Sequence, residues 1–398
     1  MKFLFVLNIG LAKVGPSVHL LKDVIGAALA CGHSCHVVLK NTTEENVTGL
    51  EELIERHRAL TISLVRSVST QKSGFLKRYM EDCRYALRCK KEYKGKQYDA
   101  VFLQSCNVGW VFMKGLRSLK CPIVFNVQDI FPQNLMFSGQ LPMSKIVYPL
   151  FLRLQMIAYK RATRLITISE DMKDTLVAQG VKESKIDVVY NWSYEDAPIS
   201  LSAIPSSRMY DLKTDPQKTN VVYAGNIGKM QNVELIAKTA KISEQDTGVH
   251  YYIIGDGANK QKVLSMVDEL SNVTVLPMQD AKFAESIYAQ ADINVIPLAK
   301  GGIKTALPSK TATVLRTDKY VVFCIDAGSK FAQTVDNARR IRIADNADPA
   351  SLYHIICELR DTKQIDLTKN DCVLPLFAKE NANCYVKIME SATHKSLC

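Results

Sequence analysis

The sequence has no apolar run that approaches the ~20 residues of a membrane-spanning helix. The stretch at 146–158 extends for only about a dozen residues and is interrupted by Arg153. The N-terminal run, residues 1–7, is followed closely by Asn8 and Lys13, so we interpret it as a first β-strand rather than a signal peptide. These absences predict a cytoplasmic protein without a membrane span.

Patterns that hold metal ions are also missing. The 11 cysteines are scattered, and Cys31 and Cys35 have no second pair of cysteines or histidines nearby. An odd number of cysteines argues against a closed disulfide framework. No clear Asp-x-Asp motif is present. We therefore expect reduced thiols, no metal site and no cofactor.

Two glycine-rich segments lack the spacing of common nucleotide-binding motifs. In Gly225-Asn-Ile-Gly228-Lys229 the spacer before Gly-Lys has two residues where a Walker A loop has four, so ATP hydrolysis is not indicated. Gly255-Asp-Gly257 lacks the third glycine of a dinucleotide fingerprint. Each segment nevertheless follows an apolar run, and open α/β sheets bind ligands where such strands end. An ordinary turn is the alternative interpretation.

The net charge of +11 is concentrated in the N-terminal half, since residues 1–197 contain 27 Lys and Arg against 18 Asp and Glu. Much of the excess lies at 75–96, where cations alternate with aromatic and aliphatic residues at near-helical spacing. This pattern predicts attraction to an anionic membrane surface, and a solvated helix face explains it equally well. No nucleic-acid recognition motif accompanies the charge, so nucleic acid is not an expected partner. The cations are Lys77, Arg78, Arg84, Arg88, Lys90, Lys91, Lys94 and Lys96.

Apolar runs of strand length alternate with segments of helix length along most of the chain. This alternation predicts the α/β class, with two Rossmann-like domains built on doubly wound parallel sheets. The first series of runs lies at 3–7, 36–39, 60–65, 100–103, 123–127 and 165–168, and the second at 221–224, 251–254, 273–276, 293–297, 320–324 and 340–343. We therefore predict an N-terminal domain at 1–197, a polar linker at 198–218 and a C-terminal domain at 219–375.

One segment of the second series carries a signal for phosphate. Residues 304–310, Lys-Thr-Ala-Leu-Pro-Ser-Lys, follow the apolar run at 293–298 and precede a segment of helical pattern. Backbone N–H groups at the start of a helix favour an anion, and Lys304 and Lys310 would add positive charge there. The segment therefore predicts a site for the diphosphate of a nucleotide sugar.

Several short motifs, taken in their order and spacing, resemble the family 4 glycosyltransferases of the GT-B fold. Within that family they resemble the sugar transferases of bacterial capsule, exopolysaccharide and O-antigen synthesis. The motifs cover nearly the whole chain. They are Gly15-Pro-Ser-Val-His19, Asn126-Val-Gln-Asp-Ile-Phe-Pro132, Thr167-Ile-Ser-Glu170, Val188-Val-Tyr-Asn-Trp192, Tyr223-Ala-Gly-Asn-Ile-Gly228, Ile254-Gly-Asp-Gly257 and Leu307-Pro-Ser-Lys310.

The resemblance implies two domains that face each other across a cleft, with a helix at 376–398 packing back on the first domain. It implies that the C-terminal domain holds a nucleotide sugar, for which we expect a UDP-sugar, and that the N-terminal domain meets a lipid-diphosphate-linked saccharide acceptor. The donor diphosphate would contact Gly228, Lys229, Lys304, Ser309 and Lys310, and the nucleotide and sugar would contact Gly225, Asn226, Gly255, Val275, Pro277, Thr305 and Thr313. The acceptor side would include Gly15, Pro16, Ser17 and His19.

Two pairs of positions depart from the family pattern. Typical members carry a Glu-x7-Glu pair where this chain has Thr305 and Thr313. The Arg and Lys that usually neutralise the diphosphate correspond here to Asn226 and Gln231. We expect the lysines of the predicted diphosphate site to take the place of that Arg and Lys, because preorganised cations can stabilise a leaving nucleoside diphosphate without a metal.

Asp129 is the candidate catalytic carboxylate. It lies just beyond the run at 123–127, and relatives often have His-Asp where this chain has Gln128-Asp129. Retaining members of the family are described with front-face attack assisted by the leaving phosphate. We therefore expect Asp129 to orient the acceptor or to stabilise positive charge on the sugar ring rather than to act as a base. An aspartate that caps a turn is the alternative.

These features predict a retaining transferase of hexosyl or N-acetylhexosaminyl units, bound peripherally to the inner face of the cell membrane. One alternative is a non-hydrolysing nucleotide-sugar epimerase on the same fold, which would need more acid and base residues than the motifs supply. A second is a non-catalytic subunit of a transferase complex, suggested by Thr305 and Thr313.

Overall fold

The computed structural model describes residues 1–11, 18–41, 58–68, 74–138, 147–194, 196, 198–336, 338, 340–362 and 373–394. The chain forms two compact units. The N-terminal unit comprises residues 1–191 and 379–398, and the C-terminal unit comprises residues 192–378. Among the described residues, no helix combines the length and the apolar character that crossing a bilayer would require.

A sheet of seven parallel strands, in the order β3-β2-β1-β4-β5-β6-β7, forms the centre of the N-terminal unit. Parallel sheets are covered on both faces, so their strands are continuous apolar runs, and the sequence analysis located six of the seven. It missed β7, a strand of three residues in which only Ile186 is buried. The strands are β1 (Lys2–Val6), β2 (Ser34–Asn41), β3 (Leu60–Arg66), β4 (Ala100–Leu103), β5 (Ile123–Val127), β6 (Arg164–Thr167) and β7 (Ile186–Val188).

Helices join these strands, as parallel pairing requires. One of them begins at a side-chain cap: Ser169 Oγ accepts a hydrogen bond from the backbone N–H of Met172 at 3.2 Å, which satisfies a donor at the start of the helix. The helices are α1 (Val18–Ala30), α2 (Phe75–Tyr93), α3 (Gly109–Leu116), α4 (Gln133–Ser138), α5 (Val147–Arg161) and α6 (Glu170–Ala178).

The C-terminal unit has a sheet of six parallel strands in the order β10-β9-β8-β11-β12-β13. The first strand of this unit, β8, lies between β9 and β11, so the order reverses beside it. In an open α/β sheet this reversal marks the usual place for a ligand. The strands are β8 (Thr219–Asn226), β9 (Val249–Asp256), β10 (Val273–Leu276), β11 (Ile293–Pro297), β12 (Tyr320–Ile325) and β13 (Ile341–Asp345).

The helices described in the C-terminal unit range from five to 13 residues in length. They are α7 (Glu234–Ile242), α8 (Lys260–Val267), α9 (Ala284–Ala289), α10 (Thr311–Leu315), α11 (Lys330–Val335) and α12 (Pro349–Asp361). The end of α10 is held by the buried Arg340, whose guanidinium donates to the carbonyl oxygens of Leu315 and Thr317. Such donors satisfy carbonyls that a helix end leaves unpaired.

Residues 198–218 contain little regular structure and are bonded to the C-terminal unit. The backbone N–H of Ile199 donates to the carbonyl oxygen of Arg316 at 2.7 Å, and Arg208 Nη2 contacts Glu285 Oε2 at 2.5 Å. The polar composition of this segment predicted an irregular connection. It did not indicate the attachment, because isolated hydrogen bonds leave no periodic pattern in a sequence.

The last helix, α13 (Asn381–His394), belongs to the N-terminal unit. Its Tyr385 is buried, and Glu390 Oε1 lies 2.8 Å from His33 Nε2. At its start, Asn381 Nδ2 donates to the carbonyl oxygen of Tyr190 at 2.9 Å. The chain therefore returns to the unit in which it began.

Candidate functional site

The carboxyl ends of the central strands bring several predicted residues together in the C-terminal unit. Because β8 and β9 are parallel, their glycine-rich ends lie side by side, with Gly225 opposite Gly255 and Asn226 opposite Asp256. The loop that contains residues 304–310 follows β11, which is the other neighbour of β8. The three segments that the sequence analysis singled out separately thus meet at one edge of one sheet.

Glycine is required where β8 and β9 end because the two backbones are very close. A Cβ atom at Gly255 would lie 1.9 Å from the carbonyl oxygen of Gly225. A Cβ at Gly257, where φ is +154°, would lie 2.5 Å from the carbonyl oxygen of Ile227. Packing alone therefore explains these glycines, and the backbone at Gly225 and Gly255 carries no side chain, as close approach of a phosphate would also need.

Asn226 and Gln231, which replace the usual cations of the family, bond to each other. Asn226 Nδ2 donates to Gln231 Oε1 at 2.9 Å across the loop that follows β8. A Cβ at Gly228 would lie 2.6 Å from Gln231 Oε1, so this glycine makes room for the pair. The loop therefore presents a neutral amide pair at the positions where relatives carry positive charge.

Lys310 supplies positive charge beside the end of β8. Its Nζ donates to the carbonyl oxygen of Ala224 at 2.9 Å and lies 3.6 Å from the centroid of the Tyr223 ring. The ring of Tyr223 is held in turn, since its Oη donates to the carbonyl oxygen of Asn226 at 2.5 Å. Tyr288 Oη, from α9, donates to the same Ala224 oxygen at 3.2 Å. Burial lowers the pKa of Lys310 to about 7.

The sequence indicated Lys310 but not the two tyrosines beside it. Tyr223 and Tyr288 lie 65 residues apart in the sequence and on different elements. Tyr223 stood in a family motif, but only as a marker of the strand end. Nothing in a single sequence indicates that two aromatic residues will share a carbonyl with a lysine.

Of the other predicted contacts of the diphosphate, Gly228 is buried and the remaining three are exposed. Lys229 lies in the turn after β8, Lys304 in the loop after β11, and Ser309 beside Lys310 in the turn before α10. The helix α10 has only five residues, little more than one turn. The lysines, rather than the helix dipole, therefore provide most of the attraction for an anion at this edge.

The two threonines that occupy the positions of the family carboxylates are engaged within the protein. Thr305 is buried, and its Oγ1 donates to the carbonyl oxygen of Gly302 at 3.0 Å. Thr313 is partly buried, and its Oγ1 lies 3.4 Å from Ser193 Oγ. Val275 and Pro277, predicted beside the nucleobase, lie at the end of β10, where Val275 is partly buried and Pro277 is exposed.

Asp129 follows β5 in the N-terminal unit, as predicted. Its side chain reaches solvent, and yet the protein packed around the carboxyl raises its pKa to about 6, because desolvation disfavours the charged form. Gln128, the neighbour that replaces a histidine, donates from Nε2 to Asn126 Oδ1 at 3.0 Å and accepts from Asn191 Nδ2 at 2.7 Å. Asp129 therefore extends from a backbone that is fixed by a network of amide side chains.

The acceptor side remains a prediction. Gly15, Pro16 and Ser17 lie outside the described residues, and His19 is partly buried on α1.

The predicted basic segment forms α2 and is firmly attached to the N-terminal unit on one side. Glu81 is buried and accepts hydrogen bonds from Ser67 Oγ at 3.1 Å, from the backbone N–H of Val68 at 3.1 Å and from Arg88 Nη1 at 2.9 Å. Tyr85 Oη donates to the carbonyl oxygen of Leu7, the residue after β1, at 2.5 Å. The orientation of α2 is thus set by buried polar contacts.

The opposite face of α2 combines apolar and cationic side chains. Leu76, Met80 and Leu87 are each at least half exposed, and they lie four and seven residues apart along one side of the helix. Exposed cations flank them at Lys77, Arg84, Lys90, Lys91 and Lys94. The structure therefore separates a buried face of α2 from an outer face on which apolar and cationic side chains are mixed.

The helix α5 lies near α2 and has a similar outer face. The rings of Phe75 and Phe151 meet edge to face with centroids 5.7 Å apart, which joins the two helices. Leu150 and Ile157 on α5 are about half exposed, and Arg153 between them is exposed.

Comparison with protein families gives two matches that together span most of the chain. Residues 18–192 match the family described as Glycosyltransferase Family 4. Residues 218–361 match the family described as Glycosyl transferases group 1.

Two curated proteins are similar in sequence. "Probable glycosyltransferase WbjE" of Pseudomonas aeruginosa is 25% identical over 277 residues, which are 68% of this chain and 66% of that protein. "Putative colanic acid biosynthesis glycosyl transferase WcaI" of Escherichia coli K12 is 22% identical over 201 residues, 49% of this chain and 48% of that protein. The alignment thus covers slightly less than two thirds of the length of WbjE and about half of the length of WcaI.

Solved structures match along nearly the whole chain. Anabaena Alr3699/HepE in complex with UDP and glucose has a TM-score of 0.63 at 13% identity, with 99% of both chains covered. UDP-GlcNAc 2-epimerase from Neisseria meningitidis has a TM-score of 0.59 at 11% identity, with 98% of this chain and 100% of that chain covered. At these identities the likeness concerns the fold.

Proposed function

Because the chain belongs to the family 4 type of glycosyltransferases, with the GT-B fold, we propose that it transfers a hexosyl or N-acetylhexosaminyl unit from a nucleotide sugar to a lipid-diphosphate-linked saccharide. The reaction would retain the configuration of the anomeric carbon and would serve cell-surface polysaccharide synthesis. The name of WcaI, which refers to colanic acid biosynthesis, supports this pathway class. The complex of HepE with UDP and glucose supports a UDP-sugar donor.

The observation that carries the proposal is the meeting of Gly225, Gly255 and Lys310 at the carboxyl ends of β8 and β9. A diphosphate can approach this edge because Gly225 and Gly255 carry no side chains. When the sugar departs, negative charge grows on the nucleoside diphosphate, and a preorganised cation at this point lowers the energy of that state. Lys310 is held in place for this task, with Lys229 and Lys304 adding charge from the surrounding turns.

In this proposal Asp129 acts on the acceptor side. A carboxyl with a pKa of about 6 is largely ionised at pH 7.5, so it can orient an acceptor hydroxyl or oppose positive charge on the sugar ring. The amide network of Asn126, Gln128 and Asn191 fixes the backbone from which it extends.

The lipid-linked acceptor would be met at an anionic membrane surface, with the protein bound peripherally from the cytoplasm. The support is the outer face of α2, where exposed Leu76, Met80 and Leu87 are flanked by lysines. Apolar side chains would enter the interface while cations meet the headgroups, at about 1 kcal/mol for each well-placed cation.

Two other functions have specific observations in their favour. The fold is shared with a UDP-GlcNAc 2-epimerase, so epimerisation of a nucleotide sugar is an alternative. The buried Thr305 and the engaged Thr313 favour a subunit that binds a nucleotide sugar, or nothing, and leaves catalysis to a partner.

The experiment is transfer by the purified protein across a panel of nucleotide sugars, with a lipid-linked saccharide acceptor and a chelator present. We expect one donor to give a glycosylated acceptor, detected by mass spectrometry, at a rate that the chelator does not change. The Asp129→Asn variant should bind that donor normally and transfer at least tenfold more slowly. Epimerised donor without transfer would support the epimerase, and donor binding without either product would support the non-catalytic subunit.

A further inference from the structure

We propose that Lys310 is a proton-gated cation, which binds the donor diphosphate only as the ammonium and takes up a proton from solvent when the donor arrives. This inference rests on the proposed function, since it concerns the same site. It implies that donor binding is tight in mildly acidic and neutral solution and weakens progressively as the pH rises.

The first support is the absence of a compensating anion. Among the described residues, no carboxylate lies within ion-pair distance of Lys310. Its Nζ has one hydrogen bond, to the carbonyl oxygen of Ala224, and the ring face of Tyr223. A carbonyl and an aromatic face stabilise an ammonium much less than water does, so enclosure favours the neutral amine. Burial accordingly lowers the pKa of Lys310 to about 7.

The groups that face Lys310 from the neighbouring elements do not titrate near neutrality. From β8 the facing group is the Tyr223 phenol, and from α9 it is the Tyr288 phenol, which shares the Ala224 oxygen. Burial raises the pKa of both phenols well above the usual value for tyrosine. The amide pair of Asn226 and Gln231 on the following loop is neutral. Lys310 is therefore the group of this cluster that changes charge between pH 6 and pH 8.

The second support is the position of the ammonium relative to the bare strand end. A Cβ atom at Gly225 would lie 3.1 Å from Lys310 Nζ, so a side chain at this position would press against the ammonium. Gly225 has a φ of +146°, which side chains rarely permit. Gly225 has no side chain, so it leaves the ammonium of Lys310 uncovered on this side.

The physical consequence is a linkage between ligand and proton. A diphosphate beside Nζ provides the missing anion and raises the affinity of the amine for a proton. At pH 8, a group with a pKa of about 7 is neutral in about nine molecules out of ten. Binding at pH 8 should therefore consume about 0.9 proton for each ligand bound, and affinity should fall about tenfold for each pH unit above 7.

The test is isothermal titration calorimetry of the full chain with UDP at pH 6.0, 7.0, 8.0 and 8.5. Each pH is measured in two buffers of different ionisation enthalpy, so that the difference in heat gives the number of protons exchanged. UDP itself changes protonation little at pH 8.0 and above, because the second pKa of a phosphate lies near 6. We expect uptake of about 0.9 proton at pH 8.0 and a dissociation constant that rises steeply between pH 7.0 and pH 8.5.

Three variants test whether Lys310 is the group that takes up the proton. Lys310→Met should bind UDP roughly 10- to 100-fold more weakly at pH 6.0 and should take up no proton at pH 8.0 and above. Lys310→Arg carries a permanent charge and should bind UDP without proton uptake at pH 8.0. Lys304→Met changes an exposed lysine of the same loop and should keep the proton uptake while lowering affinity slightly.

The outcomes separate the two proposals. If UDP and a panel of other nucleoside diphosphates fail to bind at every pH, the proposed function is wrong and the inference falls with it. If UDP binds the wild-type protein without proton uptake at pH 8.0, the inference alone is overturned. Equal proton uptake by the wild type and Lys310→Met would also overturn it. The wild-type measurement decides the matter even if Lys310→Met does not fold.

Discussion

The N-terminal unit carries much of its positive charge on exposed side chains of α2, whereas the C-terminal unit encloses one of its lysines beside the end of β8. Exposed cations act together, at some distance, and are screened by salt beyond about 10 Å at 0.1 M ionic strength. An enclosed cation acts at contact and is screened much less. The first arrangement suits an extended anionic surface, and the second suits one phosphate group. Salt should therefore act mainly on the first unit and pH mainly on the second.

The units also differ in the partners that surround a buried charged side chain. Glu81 in the N-terminal unit is surrounded by three donors, which include the guanidinium of Arg88. Lys310 in the C-terminal unit has a carbonyl oxygen and an aromatic ring but no anion. A buried charge with hydrogen-bond and ion-pair partners helps to hold the structure in place. A buried charge without such partners lowers the stability of the unliganded protein and can be compensated by a ligand of opposite charge. In the proposed function, Glu81 is therefore a structural residue and Lys310 a ligand-binding one.

The largest effect is expected at the membrane. Replacing Lys90, Lys91, Lys94 and Lys96 together with Gln should weaken binding to anionic vesicles by up to ~4 kcal/mol, because each cation near the surface contributes about 1 kcal/mol. Sedimentation with vesicles that contain anionic lipid would measure the change, and binding of the wild type should fall steeply with salt.

A matched control removes four exposed lysines from the C-terminal unit, at Lys238, Lys241, Lys262 and Lys282. The net charge changes equally, and vesicle binding should change little. If both quadruple variants bind vesicles as the wild type does, charge on α2 is not the cause, and the apolar residues Leu150 and Ile157 of α5 become the candidates.

A smaller effect is expected from the paired buried charge. Glu81→Gln should lower the free energy of unfolding by about 1–3 kcal/mol at pH 7, because it leaves the donors of Ser67 and Arg88 poorly matched. Urea denaturation would measure the loss. Glu92→Gln, which removes the same charge from the same helix away from this network, should stay within about 0.5 kcal/mol of the wild type.

The dependence of this effect on pH has a defined sign. Burial opposes ionisation of Glu81, but the hydrogen bonds from Val68, Arg88 and Ser67 outweigh it, so the pKa of Glu81 lies below its usual value. A carboxyl of this kind stabilises the fold above its ordinary pKa and loses that contribution as the pH falls through the lowered value. The difference between wild type and Glu81→Gln should therefore shrink on acidification, and a constant difference down to pH 3 would contradict the assignment.

An effect of opposite sign is expected from the unpaired buried charge. Lys310→Met should make the unliganded protein more stable at pH 6, where the wild-type ammonium is enclosed without an anion. Because the pKa of Lys310 is lowered to about 7, the unfolded chain binds more protons than the folded one above pH 7, and wild-type stability rises there. The advantage of the variant should shrink by at most about 1.4 kcal/mol for each pH unit above 7.

Urea denaturation at pH 6, 8 and 9 would measure this advantage, with Lys304→Met as the exposed control. If Lys310→Met is less stable than the wild type at pH 6, then Lys310 stabilises the unliganded protein. The contrast between a paired Glu81 and an unpaired Lys310 would then be wrong.

The amino-acid sequence by itself determined the class of the fold, the position of nearly every strand and the family. Strands of parallel sheets are covered on both faces, so they are apolar throughout and can be read as continuous runs, and 12 of the 13 strands formed by the described residues lie where such runs occur. The exception, β7, is too short for a run to be seen. The order of the motifs predicted the family 4 type, and the matches to residues 18–192 and 218–361 confirm it.

Only the tertiary structure decided which residues act together. The sequence indicated Lys310, Gly225 and Asn226 as separate motifs, and the parallel pairing of β8 and β9 with the loop after β11 places them at one edge. It could not show that Tyr223 and Tyr288 enclose Lys310, or that Asn226 and Gln231 satisfy each other. Local sequence reports periodicity and turn chemistry, whereas burial, and with it the charge state of a lysine, depends on neighbours that are distant along the chain and near in space.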